Sequence, residues 1–176
     1  FKGQLKLLKT ETHMGNACTV RNVGLSMARG EYVFFMDAKD FIDRTALETL
    51  YKAAQDSKAD VVYTSRYRLV DSSNESTLKR DAKGKSLRKD GLKDKKTLIV
   101  NASDKLLQDV LFKDQHYEPC TKFVRRKLLT ENKIIFPEMI GGEEFWTLLI
   151  CDKAKRFLRL PSAIYFLRQR SDSQIR

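Results

Sequence analysis

The chain has 176 residues, 41% of them hydrophobic, 10% aromatic and 32% charged, which fits one folded domain, residues 1–176, and excludes wholesale disorder. Its 34 Lys and Arg against 23 Asp and Glu leave a net charge of +11, favouring anionic partners such as phosphates, nucleic acid or an acidic membrane surface without choosing among them. No apolar run reaches the roughly 18–20 residues that cross a bilayer, and the three cysteines, Cys18, Cys120 and Cys151, are too scattered for a disulfide framework or a zinc site, which fits a reducing cytoplasm.

The sequence starts with Phe rather than Met and opens into Leu5-Lys6-Leu7-Leu8, which reads as an apolar strand with no helix before it to cover it; the chain is therefore expected to be a fragment lacking its natural beginning. Residues 16–29 space Ala17, Val20, Val23, Gly24 and Met27 as on an amphipathic helix, with Gly30 as its stop. The run Tyr32-Val33-Phe34-Phe35-Met36 reads as a strand covered on both faces, and it ends abruptly in charge at Asp37. Asp43 is the expected N-cap of a helix to about Asp56, with Ala46, Leu47, Leu50, Tyr51 and Ala54 inward. A strand over residues 59–68 follows. This alternation predicts an α/β domain with a mainly parallel sheet flanked by helices, its ligands held just beyond the strands' carboxyl ends, where Asp37 and Asp40 stand.

Residues 72–96 turn polar and basic and predict a long loop or an exposed hairpin. Helices are expected over residues 103–112, 126–132 and 143–154, and a closing strand over 163–168; no internal repeat is visible.

Chemistry concentrates in four segments. Gly15 to Leu25 reads G-N-A-C-T-V-R-N-V-G-L, and Met27 to Tyr32 reads M-A-R-G-E-Y; Asp37-Ala38-Lys39-Asp40 closes the apolar strand, and Gly142-Glu143-Glu144 follows Ile135-Phe136-Pro137-Glu138. Taken position by position, with Ala59-Asp60-Val61-Val62-Tyr63 and Lys122 to Leu129 in support, these segments resemble the family 2 glycosyltransferases. Nearly the whole chain is covered except the basic stretch. The family's opening strand, which begins its nucleotide pocket, has no counterpart after Phe1.

The resemblance implies a GT-A (Rossmann-like) fold, its first strand missing here, and inverting transfer of a sugar from a nucleoside diphosphate sugar, most often a uridine derivative, to a hydroxyl of a glycan or lipid-linked acceptor in bacterial surface polysaccharide synthesis. It divides the chain into a nucleotide-sugar-binding part (1–71), the basic loop or hairpin (72–100) and an acceptor-side part (101–176), and it implies a cytoplasmic protein with peripheral contact at the inner face of the membrane. No nucleic-acid partner is expected, since no basic motif with interleaved aromatics appears.

By the same resemblance Arg21, Asn22, Asp37, Lys39, Asp40, Arg168 and Arg170 bind the nucleotide sugar. Asp37 and Asp40 are the candidate ligands of a divalent metal, manganese or magnesium, because a departing diphosphate develops charge that a hard cation stabilises. Lys39 stands where the family has a ligating aspartate. Its ammonium is read either as a substitute for the metal or as a sign of lost or altered activity. Glu144 matches the family's base and Glu143 is its alternative, since an acceptor hydroxyl needs a carboxylate within reach to take its proton; acids in a first helical turn also complement the helix dipole with no catalytic role. Asp37 and Asp40 alternatively form a solvated turn beside a helix cap. Lys122, Arg125 and Arg126 either face phosphates or begin a solvated helix, Trp146 either stacks on a sugar or fills the core, and His13 and His116 are isolated. Cys120 stands where relatives carry an aromatic residue. The competing reading is a non-catalytic module of the same fold holding an anionic glycan or membrane.

Overall fold

A computed structural model describes residues 5–9, 16–71, 85–88, 97–101, 104 and 117–169. Within them the order is α1 (Ala17–Met27), β1 (Tyr32–Phe34), β2 (Phe41–Ile42), α2 (Ala46–Ser57), β3 (Val61–Asp71), β4 (Lys85–Arg88), β5 (Thr97–Val100), β6 (Lys122–Arg125), α3 (Arg126–Glu131), α4 (Gly142–Lys153) and β7 (Arg156–Gln169), with a 3-10 turn at Pro119–Thr121 before β6. The strands form one sheet in the order β1-β6-β3-β7-β2, with β4 added to β3 and β5 to β7.

Side chains alternate across this sheet, as the two-residue period of a strand requires. Val33, Val61, Tyr63, Val124 and Phe157 point to one face, where they meet Leu128 and Leu129 of α3, Trp146 and Ile150 of α4, and Cys18 of α1. Val62, Phe123, Leu158, Leu160 and Ile164 point to the other, against Ala46, Leu50, Ala53 and Ala54 of α2. The result is three layers, helices over both faces of a sheet, with buried aliphatic and aromatic side chains each contributing about 1.5–3 kcal/mol.

The expected α/β architecture stands, but the sheet is mixed rather than mainly parallel. Of the described pairings β3–β7 is parallel, from Val61↔Phe157 to Asp71↔Gln169, while β1–β6, β2–β7, β3–β4, β3–β6 and β5–β7 are antiparallel. The strand-helix-strand reading gives β1, β3 and β7 their common direction. It misses that β6 inserts between β1 and β3, entering at Lys122 opposite Tyr63 and leaving at the other end of the sheet directly into α3. An apolar run reports burial on both faces, not direction.

Local boundaries shift for readable reasons. Asp43 does not cap α2: its Oδ1 accepts from the Thr45 amide (2.9 Å) and hydroxyl (2.7 Å), forming a tight turn that leaves Thr45 at the helix start. Asn16 does cap α1, accepting from the Cys18 amide at 2.8 Å. The closing strand begins at Arg156, well before residue 163, because it pairs with β3 along almost its whole length. Leu5 to Leu8 form no strand; Leu5 and Leu7 are exposed, and no described strand lies beside them to complete a ladder. Within the stretch expected as a long loop or exposed hairpin, β4 pairs antiparallel with β3, Leu69↔Lys85 to Arg66↔Arg88. Residues 72–84 and 89–96, and nearly all of the helix expected over 103–112, lie outside the described residues.

Candidate functional site

Strand β1 stops at Phe34, and the chain then turns through Asp37 to Asp40, the Asp40 amide donating to the Asp37 carbonyl at 3.0 Å. Asp37 is partly exposed at the carboxyl end of β1 and accepts from Arg21 Nη2 at 3.0 Å. Arg21 comes from α1, and its other terminal nitrogen donates to Glu143 Oε1 of α4. One guanidinium therefore joins the strand-end acid to the first turn of α4, and it also lies over the Phe136 ring, 5.7 Å from the centroid. Its pKa is raised further: burial works against the cation, but the hydrogen bond and charge of Glu143, then those of Asp37, outweigh it.

Close packing brings α4 to this point. Gly141 has φ of 78°, a left-handed conformation that favours glycine, and a Cβ on Gly142 would lie 2.2 Å from the Pro137 carbonyl oxygen and 3.0 Å from Cys18 Sγ. With no side-chain cap on α4, Glu143 and Glu144 supply the negative charge of its first turn. Glu144 is exposed and makes no hydrogen bond or ion pair with a described residue, whereas Glu143 is engaged by Arg21.

Asp40 is built differently from Asp37. It is buried, its Oδ2 accepts from the Tyr165 hydroxyl at 2.7 Å and its Oδ1 from the Arg168 amide at 2.9 Å. Both oxygens are thus engaged by β7. Tyr165 also accepts from the Asp37 amide at 3.2 Å, and burial, followed by Cys120 and the bond to Asp40, drives its phenol well above its ordinary pKa. Cys120, half-buried beside it, has its thiol pushed up to about 12 by burial and then by the charge of Glu118. Among the described residues the Arg168 Nε, shielded from solvent, finds no hydrogen-bond partner. Lys39, at the tip of the turn, is exposed and forms no ion pair with a described residue.

The donor set fits a metal cage poorly. Among the described residues no three His, Cys, Asp or Glu side chains converge as metal ligands; Asp40 is engaged on both oxygens, and Asp37 shares one with Arg21.

Several sequence expectations change here. The Asn22 amide exchanges two 2.8 Å hydrogen bonds with the Phe136 backbone and ties α1 to the segment before α4. Trp146 is fully buried, stacked on Phe136 at 4.5 Å, so it is core. Lys122 is buried and donates to the Glu118 carbonyl at 3.0 Å. Arg125 and Arg126 hold Glu31 and the Gly30 carbonyl at the opposite end of β1. A cleft of about 670 Å³ opens at that far end among Asp60, Arg125, Lys127, Glu131, Asp152 and Lys153, and those charges pair with one another or with neighbours. Arg170, His13 and His116 lie outside the described residues. Tyr165 was missed; its only sequence signal was its place three residues before Arg168.

The profile of Glycosyl transferase family 2 matches residues 2–132. Poly(ribitol-phosphate) beta-N-acetylglucosaminyltransferase TarP of Staphylococcus aureus is 37% identical over 62 residues, 35% of this chain and 19% of that protein. TarS, of the same description and genus and species, is 24% identical over 167 residues, 94% of this chain and 26% of that protein. The crystal structure of S. aureus TarS 1-349 in complex with UDP-GlcNAc superposes with a TM-score of 0.72 at 24% identity, covering 96% of this chain and 43% of that one. The chain thus spans less than half the length of each of these relatives.

Proposed function

Because the chain belongs to glycosyl transferase family 2, we propose that it works in the transfer of a sugar from a nucleoside diphosphate sugar, a UDP-sugar, to a hydroxyl of a bacterial surface polysaccharide or its lipid-linked precursor. The observation that carries this reading is the Arg21 bridge, which brings the donor-side Asp37 and the acceptor-side first turn of α4 to one place. The UDP-GlcNAc named for the TarS structure supports a uridine donor.

In the proposed reaction the acceptor oxygen attacks the anomeric carbon as the bond to the diphosphate breaks, a single displacement that inverts the centre. Glu144, exposed and unengaged, takes the acceptor proton. Glu143, held by Arg21, fixes the first turn of α4 so that Glu144 faces the acceptor. The leaving diphosphate meets exposed Lys39 at the turn and the half-buried Arg168 side chain, cationic groups that stabilise developing negative charge.

A second reading, a module of this fold that holds an anionic glycan without catalysis, is favoured by Lys39 in place of an acid and by the net charge of +11. Among the described residues no helix is long and apolar enough to cross a membrane. The deciding experiment titrates UDP and a panel of UDP-sugars into the protein and then measures donor hydrolysis and transfer. Saturable binding with turnover supports the enzyme; binding of anionic glycan with neither nucleotide binding nor turnover establishes the second reading.

A further inference from the structure

We infer that Tyr165 is a positioning residue that sets the donor-side carboxylates, an assignment that rests on the transfer function proposed above and adds to it a residue remote in sequence from the strand-end turn. Its hydroxyl has one proton and uses it on Asp40 Oδ2 at 2.7 Å, while its oxygen accepts the Asp37 amide at 3.2 Å. Asp40 completes the ring of contacts, its own amide reaching the Asp37 carbonyl at 3.0 Å and its Oδ1 holding the Arg168 amide at 2.9 Å. The phenol thereby holds the Asp37 backbone and the Asp40 carboxylate, the two ends of the turn that carries Lys39, and Asp40 in turn holds the backbone of Arg168.

The ring of Tyr165 is fully buried and meets Phe34 edge-on at 6.3 Å, so the hydroxyl has a defined direction. Tyr165 does not contact the reacting atoms in this arrangement; it acts through Asp37, Lys39 and Arg168. Without the hydroxyl, Asp40 keeps one of its two donors and the Asp37 amide loses its acceptor. The turn then no longer presents the Asp37 carboxylate and the Lys39 ammonium at a set distance from the Arg168 guanidinium, where a diphosphate must be gripped from two sides.

The test measures UDP affinity by calorimetry, together with melting temperature, for the unmutated protein and for Tyr165→Phe, Phe34→Leu and Asp40→Asn. Tyr165→Phe is expected to weaken UDP binding roughly tenfold, the usual scale for loss of a hydrogen bond to a charged group. Phe34→Leu loosens the packing but keeps the hydroxyl, so it is expected to lower the melting temperature and leave UDP affinity within about twofold. Asp40→Asn should weaken binding in the same direction as Tyr165→Phe, and the double variant should be no worse than Tyr165→Phe alone, because the contact that Asp40→Asn disturbs is already lost with the hydroxyl. Unchanged affinity in Tyr165→Phe overturns the inference while leaving the functional reading intact; equal losses in Tyr165→Phe and Phe34→Leu overturn it as mere packing. Should Tyr165→Phe fail to fold, unchanged affinity in Asp40→Asn overturns it. If the unmutated protein binds no UDP, the proposed function fails and this inference with it.

Discussion

Replacing Arg21 with Met keeps the length of the side chain and removes its charge, leaving Asp37 and Glu143 facing each other with no cation between them. Loss of one partner from a fully buried ion pair costs about 3–5 kcal/mol, and loss of a fully exposed one about 0–1 kcal/mol. The side chain of Arg21 is 13% exposed, but those of Asp37 and Glu143 are 44% and 34% exposed, so solvent relieves much of the uncompensated charge. An intermediate cost of ~1–2 kcal/mol follows, which for a domain of this size lowers the melting temperature by about 2–8 °C. Catalysis should suffer more than stability, since the first turn of α4 loses its tie to the strand-end turn; a fall in turnover of about 10–100-fold is expected from misplacement alone. Calorimetric melting and a donor-consumption assay at low and at high salt measure both effects, with salt reducing the stability loss by screening the two acids. Turnover within about twofold of the unmutated protein, with an unshifted melting temperature, would show that the bridge organises nothing.

Three further outcomes are expected. Glu144→Gln, which keeps shape and removes basicity, should lower turnover by about 10²–10⁴-fold with donor affinity little changed; if Glu143→Gln does this and Glu144→Gln does not, the two roles are exchanged. If, as proposed, the Lys39 ammonium takes the place of a metal ion at the diphosphate, a chelator should leave donor binding largely intact, and Lys39→Asp should introduce dependence on added manganese or magnesium; strong loss of binding by the chelated, unmutated protein refutes this. Cys120, with its thiol raised from 9.0 to about 12 by burial, binds its proton more tightly folded than unfolded. Its contribution is therefore complete below pH 9.0 and is lost as the pH climbs to about 12. Cys120→Ala should flatten the alkaline fall in melting temperature across that window, and an unaltered profile counts against the burial argument.

What could be read in the sequence followed the range of the interactions. Arg21, Asp37, Glu143 and Glu144 lie in the short segments that carry the family resemblance, and the structure joins Asp37 and Glu143 through Arg21. The two cores were legible because residues such as Val61, Val62 and Tyr63 alternate between faces and Leu50 and Ala54 recur one helical turn apart. Asp40 was visible as an acid but not as a buried one, since its partners lie 125 and 128 residues away, and no local pattern encodes that closure. The direction of β6 was hidden for a related reason: Lys122 to Arg125 looks the same to hydrophobic periodicity whichever way it runs. Trp146 was ambiguous because an aromatic group near a motif serves scaffold and ligand equally well until its neighbours are known.

The contact at Gly142 acts as a spacer whose length is zero. With a Cβ excluded by the Pro137 carbonyl on one side and Cys18 on the other, the start of α4 lies main chain to main chain against Pro137, with no side chain of its own to adjust the spacing. On the proposed function, a change of acceptor would then fall to side chains that project beyond that junction, such as Glu144, or to neighbouring loops, while the depth at which acceptor and donor meet stays constant. A lineage could exchange its acceptor many times over without ever moving the floor on which the exchange takes place.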